Sequence, residues 1–179
     1  MKKIVLFSLF FISIVSIGQN KMITKTGKIT FEASVPSFEE VKAKNDNVTC
    51  ILNPKTGEIA SLVLIKGFRF KIALMEEHFN ENYLESDTYS KATFKGKIEN
   101  FDVTKLTVTA KEFSLKGKLE MHGKTKEINI IAKIKKTEDG IKIDSSFDVN
   151  TDDFDIKIPS VVSKKVSKKV TIKFDFLLK

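Results

Sequence analysis

The sequence predicts an all-β protein, an antiparallel β-barrel of about eight strands with one short helix capping an end. Apolar and polar residues alternate with a period of two along most of the chain after residue 27, and short turn sequences separate the alternating segments. Only one segment, near residue 80, has the spacing of an amphipathic helix. Many short strands joined by tight turns are typical of a barrel rather than of a layered α/β fold.

The first 18 residues are predicted to form a secretory signal peptide, which leaves a single β-barrel domain over residues 19–179. Lys2 and Lys3 precede an apolar run that ends in the small residues Ser16 and Gly18. This run is shorter than the ~20 residues that a membrane-spanning helix needs. We therefore expect cleavage after Gly18 and a periplasmic or secreted location.

The mature chain is basic, but its charges are mixed. Loss of Lys2 and Lys3 leaves 29 basic and 23 acidic side chains, a formal charge of +6. Lysines mostly alternate with apolar residues and tryptophan is absent, which is typical of a solvated outer face. A nucleic-acid-binding surface would instead combine clustered basic residues with stacking aromatic side chains. Cys50 is the only cysteine, so we expect a buried thiol, with intermolecular pairing as the alternative.

The first strands are predicted from their alternation and from the turns between them. Residues 27–35 alternate cleanly and end before a proline. Residues 41–52 form a longer candidate whose apolar parity shifts at 45–47, which indicates a bulge or a turn. Asn-Pro-Lys-Thr-Gly at 53–57 is a strong turn signal. Residues 58–65 are apolar on both parities, so we expect that strand to be covered on both faces.

The helix is expected to begin at Ala73 and to end at the turn-forming residues 86–88. Spacings of three and four place one set of side chains on a common face: Leu74, Met75, His78, Phe79 and Tyr83. Acidic and amide side chains mostly occupy the other face. From Lys91 to Ile98 the period changes to two, which predicts a half-buried strand directly after the helix.

Five further strands are predicted in the rest of the chain. Turn sequences at 100–102, 122–123 and 138–140 separate most of them, and the last is Glu-Asp-Gly. Residues 151–163 are predicted to be a loop before the final strand. The residues of the apolar parity are, strand by strand, Leu106, Val108 and Ala110; Phe113, Leu115, Gly117, Leu119 and Met121; Ile128, Ile130, Ala132 and Ile134; Ile141, Ile143, Ser145, Phe147 and Val149; Val170, Ile172, Phe174, Phe176 and Leu178.

Several motifs resemble those of the YceI-like family, in the small form common in secreted Bacteroidetes proteins. They are His-Phe at 78–79, Tyr-Leu-Glu-Ser-Asp at 83–87, Tyr89, Lys-Ala-Thr-Phe at 91–94, the glycine-containing hairpin at 115–128 and Asp-Phe-Asp-Ile at 153–156. Together they extend from about Gly27 to Leu178. Ser90 departs from the family pattern, which usually has proline after the tyrosine, and this difference weakens a turn.

This resemblance implies a lipocalin-like, exported barrel that encloses a polyisoprenoid or similar lipid. It carries over no catalytic residues, so we expect a binding protein and not an enzyme, with no cofactor other than a possible bound isoprenoid lipid. The segment between the first strand and the helix is compact, which also allows a filled barrel. The alternative function is therefore a structural or stress-related interaction role with no bound ligand.

The predicted ligand is an apolar chain, polyisoprenoid or quinone-like, held inside the barrel. Barrels of about eight strands are either filled by their side chains or hold one small ligand. Gly96 and Gly117 lie on the inward parity and are expected to leave room. The predicted ligand-binding residues are Phe79, Tyr83, Phe94, Ile98, Leu119, Ile130, Phe147 and Phe174.

Metal binding and catalysis find little support in the sequence. His78 and His122 are the only histidines. We expect the first to be a helix residue whose ring packs at the barrel mouth and the second to lie in a turn. The acidic residues near His78 are predicted to form the wet face of the helix rather than a metal site or a catalytic pair. No nucleophile motif or phosphate-binding loop is present in the sequence.

The densest charge cluster is a lysine run near the C-terminus. It consists of Lys164, Lys165, Lys168 and Lys169. We expect a solvated loop that leads into an edge strand, where lysines oppose aggregation. The alternative is a transient contact with a membrane surface, because each cation near an anionic surface contributes about 1 kcal/mol.

Overall fold

A computed structural model describes residues 21–179. In this part of the chain nine strands and one α-helix are found: β1 Met22–Ser34, β2 Lys42–Leu52, β3 Glu58–Leu64, β4 Arg69–Phe70, α1 Ala73–His78, β5 Lys91–Ile98, β6 Lys111–Met121, β7 Lys124–Thr137, β8 Gly140–Asn150 and β9 Val166–Leu178. The predicted signal peptide lies outside the described residues and stays a prediction.

The eight longer strands form a closed antiparallel barrel. Their order is β1, β9, β8, β7, β6, β5, β3, β2, and β2 pairs back with β1. The two-residue strand β4 pairs with β2 beyond the point where β3 leaves it. The predicted fold class, an antiparallel barrel of about eight strands with one short helix at an end, is confirmed.

A bulge in β2 produces the parity shift seen in the sequence. Gly27 of β1 lies opposite Val48, whereas Ile29 lies opposite Asn45, so β2 contains one extra residue between the two pairs. The buried Asn45 side chain stabilises this irregularity. Its Oδ1 accepts a hydrogen bond from the main-chain N–H of Asn47 (2.9 Å), and its Nδ2 donates to the carbonyl oxygen of Leu64 (3.0 Å).

The strand predicted at Leu106–Ala110 is wrong. Residues Val103–Lys105 form a 3-10 turn, and the Asp102 carboxylate accepts a hydrogen bond from the main-chain N–H of Thr104 (3.0 Å). Val108 is 78% exposed. The segment has no neighbouring strand with which to form a ladder, because β5 and β6 pair directly with each other. The segment instead crosses one end of the barrel as a loop.

The helix is present where the sequence predicts it, but two residues of the predicted inward face, Leu74 and His78, are exposed. Segment α1 continues as a π-helix over Phe79–Tyr83. Phe79 is buried, but Leu74 is 57% exposed. In an α-helix the side chains four residues apart share a face, so Met75 lies above Phe79 and Leu74 lies to one side. The Glu76 carboxylate fixes this orientation by binding Arg69 (2.8 Å) and the main-chain N–H of Phe70 (3.1 Å).

The expectation that Gly96 and Gly117 leave room inside the barrel is wrong. The two glycines face each other across β5 and β6, and the ring of Phe94 lies over both. The aromatic ring occupies the volume that two side chains would otherwise fill. The glycines therefore allow β5 and β6 to approach each other closely, and they allow the ring of Phe94 to lie flat on the sheet.

Cys50 belongs to the packed core. Its side chain is fully buried, and burial raises the pKa of the thiol to about 12. The thiolate, which is the reactive form, is therefore scarce at neutral pH. The predicted buried thiol is confirmed.

Strand β9 is paired along both sides, with β1 and with β8. The prediction of an edge strand after the lysine run is therefore wrong, because barrel closure removes edges. The strand also begins earlier than expected, so Lys168 and Lys169 lie within it. No helix within residues 21–179 combines the length and the apolar character needed to cross a bilayer.

Candidate ligand-binding cavity

The barrel is packed at one end and hollow at the other. The packed end lies beneath the loop 99–110 and contains fully buried side chains: Val48, Leu52, Ile98, Ile134, Ile143 and Leu178. The other end, covered by the helical segment and by residues 151–165, encloses a cavity of about 360 Å³. Pockets that bind small molecules have volumes of about 300–1,000 Å³, so this cavity is large enough to hold a ligand.

Seven of the eight residues predicted to contact the ligand line this cavity: Phe79, Tyr83, Phe94, Leu119, Ile130, Phe147 and Phe174. Ile98 does not line it, because that side chain is fully buried at the packed end. Ligand contact by any of the eight remains a prediction. Five of the seven lining residues are on strands and reach the cavity from the barrel wall or floor. The other two, Phe79 and Tyr83, belong to the helical segment that covers it.

Four phenylalanine rings close the barrel beneath the helix. The ring of Phe79 lies 5.2 Å from that of Phe31, 5.7 Å from that of Phe68 and 5.1 Å from that of Phe70, between ring centroids. All four rings line the cavity. Aromatic pairs at these separations are each worth about 0.5–1.5 kcal/mol beyond the area that they bury. Phe79 therefore anchors the helical segment over the hollow end.

Sequence reasoning missed Phe68 and Phe70 as cavity residues. Both belong to the short stretch that links β3 to α1, where no strand was predicted. Their separation of two residues is the signal that could have identified them, because alternate residues of an extended chain lie on the same side. The pairing of Phe70 with Ala43 of β2 places this stretch in the barrel wall.

The cavity floor is also aromatic. Phe94 lies over the two facing glycines, and Phe174 stacks on Phe176 with ring centroids 4.8 Å apart. Phe147 packs edge-on against Phe174 at 6.4 Å. The floor is thus a continuous apolar surface.

Residues 151–156, which we call the cap segment, cover the hollow end beside the helix. Its own side chains Phe154 and Ile156 are buried. Three acidic side chains of the cap segment form ion pairs with lysines on the strands: Asp152 with Lys168 (3.0 Å), Asp153 with Lys126, and Asp155 with Lys124 (2.7 Å). The hydrogen bond from Lys124 holds the pKa of Asp155 below its usual value, and Asp155 raises the pKa of Lys124.

His122 holds the cap segment from the side. It occupies the tight turn between β6 and β7 with a positive φ of 51°, as predicted for a turn residue. Its Nδ1 lies 2.9 Å from the carbonyl oxygen of Phe154 and donates to it, and its ring packs against that of Tyr89 (4.5 Å). Three residues of the family-like motifs, His122, Tyr89 and Phe154, therefore meet at one structural junction.

Polar groups are few around the cavity. Glu39, His78, Lys165 and Ser167 contribute to its lining at or near the solvent-exposed opening, which we call the mouth. Farther inside, the polar side chains among the lining residues are those of Ser61, Tyr83 and Thr151. Within residues 21–179, no three His, Cys, Asp or Glu side chains are grouped so that they could hold a metal ion. This arrangement suits the enclosure of an apolar chain.

The fold and the cavity define the class of the protein as a closed antiparallel β-barrel with an apolar interior cavity at one end. The family model of the YceI-like domain matches residues 16–178. The chain belongs to the YceI-like family. The resemblance to the YceI-like family that the motifs indicate is thereby confirmed.

Solved structures share this fold at low sequence identity. A polyisoprenoid-binding domain from Saccharophagus degradans, implicated in plant cell wall breakdown, superposes with a TM-score of 0.78 at 15% identity, over 89% of this chain and 97% of that chain. BcnA from Burkholderia cenocepacia gives a TM-score of 0.70 at 15% identity, over 86% and 96%. The YCEI protein of Campylobacter jejuni gives 0.60 at 16% identity, over 81% and 89%. No curated protein matches the chain.

Proposed function

We propose that this protein is an exported lipid carrier that holds an apolar chain, polyisoprenoid or quinone-like, inside the hollow end of its barrel. The observation that carries the proposal is the apolar cavity beneath the aromatic cover. Each methylene group moved from water into such a site contributes about 0.8 kcal/mol, so a branched hydrocarbon chain binds there without any charged contact. The polyisoprenoid-binding domain of Saccharophagus degradans has the same fold, which supports this class of ligand.

The cavity favours a carrier over the alternative, a filled barrel that acts only through its outer surface. A filled barrel of eight strands has no volume left for a ligand, whereas about 360 Å³ is open here. The open volume with its apolar lining suits the enclosure of a chain, so we propose a binding function without a catalytic step.

Native mass spectrometry of the protein, purified from a periplasm without detergent, tests the proposal. We expect a discrete added mass that extracts into organic solvent as a long apolar molecule. The mass of the polypeptide itself checks export, because removal of the signal peptide leaves residues 19–179. A clean polypeptide mass that gains nothing on incubation with isoprenoid lipids would contradict the carrier, whereas an uncleaved chain would contradict export alone.

We also propose that the mouth of the cavity contacts an anionic membrane surface. Three exposed apolar side chains lie next in sequence to lining residues: Phe38 (47% exposed), Leu74 (57%) and Val161 (84%). Lys157, Lys164 and Lys165 lie at the same end and form no ion pair within the part of the chain that the structure describes. Apolar tips among unpaired lysines are complementary to the interface of an anionic bilayer.

The lysine run therefore divides into two pairs. Lys164 and Lys165 lie at the mouth, and Lys165 lines the cavity. Lys168 and Lys169 are neutralised on the barrel wall by Asp152 (3.0 Å) and Asp148 (2.9 Å). We therefore assign the proposed membrane contact to the first pair.

Replacing Lys164 and Lys165 with alanine is expected to weaken binding to vesicles of phosphatidylcholine and phosphatidylglycerol in equal parts. At about 1 kcal/mol per lysine the loss is roughly 30-fold in Kd, measured by vesicle co-sedimentation at low salt. The Lys168→Ala and Lys169→Ala double variant changes the net charge equally and is the matched control. Equal losses in both variants would mean that only net charge matters.

A further inference from the structure

The cavity has a closed end inside the barrel. Three of its lining side chains, which we call the stop residues, are buried there: Ile59, Leu115 and Phe176. Across the strand ladders each lies opposite a residue that is fully buried at the packed end and does not line the cavity: Leu52, Ile98 and Ile143, respectively. Residues directly opposite each other on antiparallel strands have neighbouring Cβ atoms, so the stop residues mark the level at which the open volume ends.

The other end of the cavity is the mouth, which is polar. Glu39, His78 and Lys165 line the cavity there and are exposed to solvent. Burial of a polar group without a partner is unfavourable, whereas burial of a hydrocarbon is favourable. A lipid therefore has one favourable orientation, with its hydrocarbon end at the stop residues and its polar end at the mouth.

The volume of the cavity limits the length of the chain that it can bury. An apolar cavity of about 150 Å³ holds one benzene molecule, which corresponds to ~25 Å³ for each carbon atom. At that density the cavity of about 360 Å³ holds about 14 carbons, close to three isoprene units of five carbons each. The further carbons of a longer chain stay in contact with water at the mouth, where they contribute no free energy of burial.

We propose that the cargo is a short prenyl lipid, whose chain of about three isoprene units enters tail first and fills the cavity as far as the stop residues. The inference rests on the proposed carrier function and deepens it, because it names the length class of the lipid. A longer polyisoprenoid is held only by its last three units. Each unit left outside loses the apolar surroundings that it had in a membrane, so the barrel disfavours long chains as cargo.

A series of prenyl alcohols with two, three, four and five isoprene units tests the length limit: geraniol, farnesol, geranylgeraniol and geranylfarnesol. Their relative Kd values for the mature protein are measured by competitive loading, below the concentrations at which the alcohols aggregate, with occupancy measured by native mass spectrometry. We expect the third unit to lower Kd by about 100-fold or more, because its five carbons are buried. The fourth and fifth units should each change Kd by less than about threefold, because they stay in water.

Shortening one stop residue should move the limit. Leu115→Ala removes three carbons from the closed end, so farnesol no longer fills the cavity and the fourth unit should lower Kd by about tenfold or more. Leu106→Ala is the matched control, because Leu106 is also a buried leucine but belongs to the loop 99–110 and does not line the cavity. The control should leave the limit at three units.

The outcomes separate the length limit from the carrier proposal. Kd values that continue to fall by about 100-fold per unit beyond the third would overturn the limit and leave the carrier intact. An unchanged limit in folded Leu115→Ala, or the same shift in Leu106→Ala, would overturn the assignment of the stop residues. Loading of none of the four alcohols would overturn the carrier proposal and the inference together.

Discussion

Replacing Ala92 with phenylalanine is expected to weaken lipid loading strongly while the barrel remains folded. Ala92 is a small, buried residue of β5 whose side chain lines the cavity. A phenyl ring there extends into open space and occupies volume that the apolar chain needs. Displacing about four methylene groups removes roughly 3 kcal/mol of burial, which corresponds to about a 100-fold rise in Kd.

The measurement is isoprenoid loading by native mass spectrometry, together with the melting temperature of each variant. Ala60→Phe is the matched control, because Ala60 lies on the neighbouring strand β3 but does not line the cavity. We expect the control to load normally. Unchanged loading in Ala92→Phe, with the variant folded, would show that lipids bind somewhere other than this cavity.

Most strands could be predicted from the sequence because each has one wet face and one covered face. The expectation that the strand at 58–65 is covered on both faces is wrong, because Leu62 and Leu64 of β3 are 36% and 55% exposed. In β8 the predicted inward residues Ile141, Ile143 and Ser145 are buried, and the turn at 138–140 joins β7 to β8 as expected. Alternation of this kind records the side of the sheet on which a residue lies. It contains no information about how far along the barrel axis that residue is placed.

This limitation explains the different positions of Ile98 and Phe94. Both lie on the inward parity of β5, and both were predicted to contact the ligand. The barrel is packed around Ile98 and hollow above Phe94, because the loop 99–110 closes one end while the helix and the cap segment only cover the other. Those covers depend on contacts between segments distant in sequence, such as His122 with Phe154.

The burial of Thr151 could not be predicted from the sequence for a related reason. It follows the last alternating residue of β8, in a stretch with no period, where a threonine is usually a solvated turn residue. Its burial depends on the ion pairs between the cap segment and the strands. The family-like Asp-Phe-Asp-Ile motif marked the segment but gave no indication that the threonine before it is buried.

Replacing Gly96 with alanine is expected to destabilise the barrel strongly, although alanine is usually the better residue in a strand. A Cβ atom at Gly96 would overlap the carbonyl oxygen of Lys116 and lie 2.9 Å from Cα of Gly117. These are main-chain atoms of the neighbouring strand, so relief requires the two strands to separate. Overpacking of this kind costs up to about 3 kcal/mol, which lowers the Tm of a domain this size by roughly 6–12 °C.

The direction of the Tm change in Gly96→Ala distinguishes crowding between the strands from the intrinsic strand propensity of the two residues. Without crowding, glycine to alanine in a strand stabilises by about 0.5–1 kcal/mol, so a rise in Tm would contradict the predicted close approach. Lys95→Ala, at the exposed neighbouring position, is the control and should change the Tm little. Because the overlap is with main-chain atoms as well as with the Phe94 ring, adding Phe94→Leu should not restore the stability of Gly96→Ala. Restoration by that second change would show that the ring alone requires glycine here.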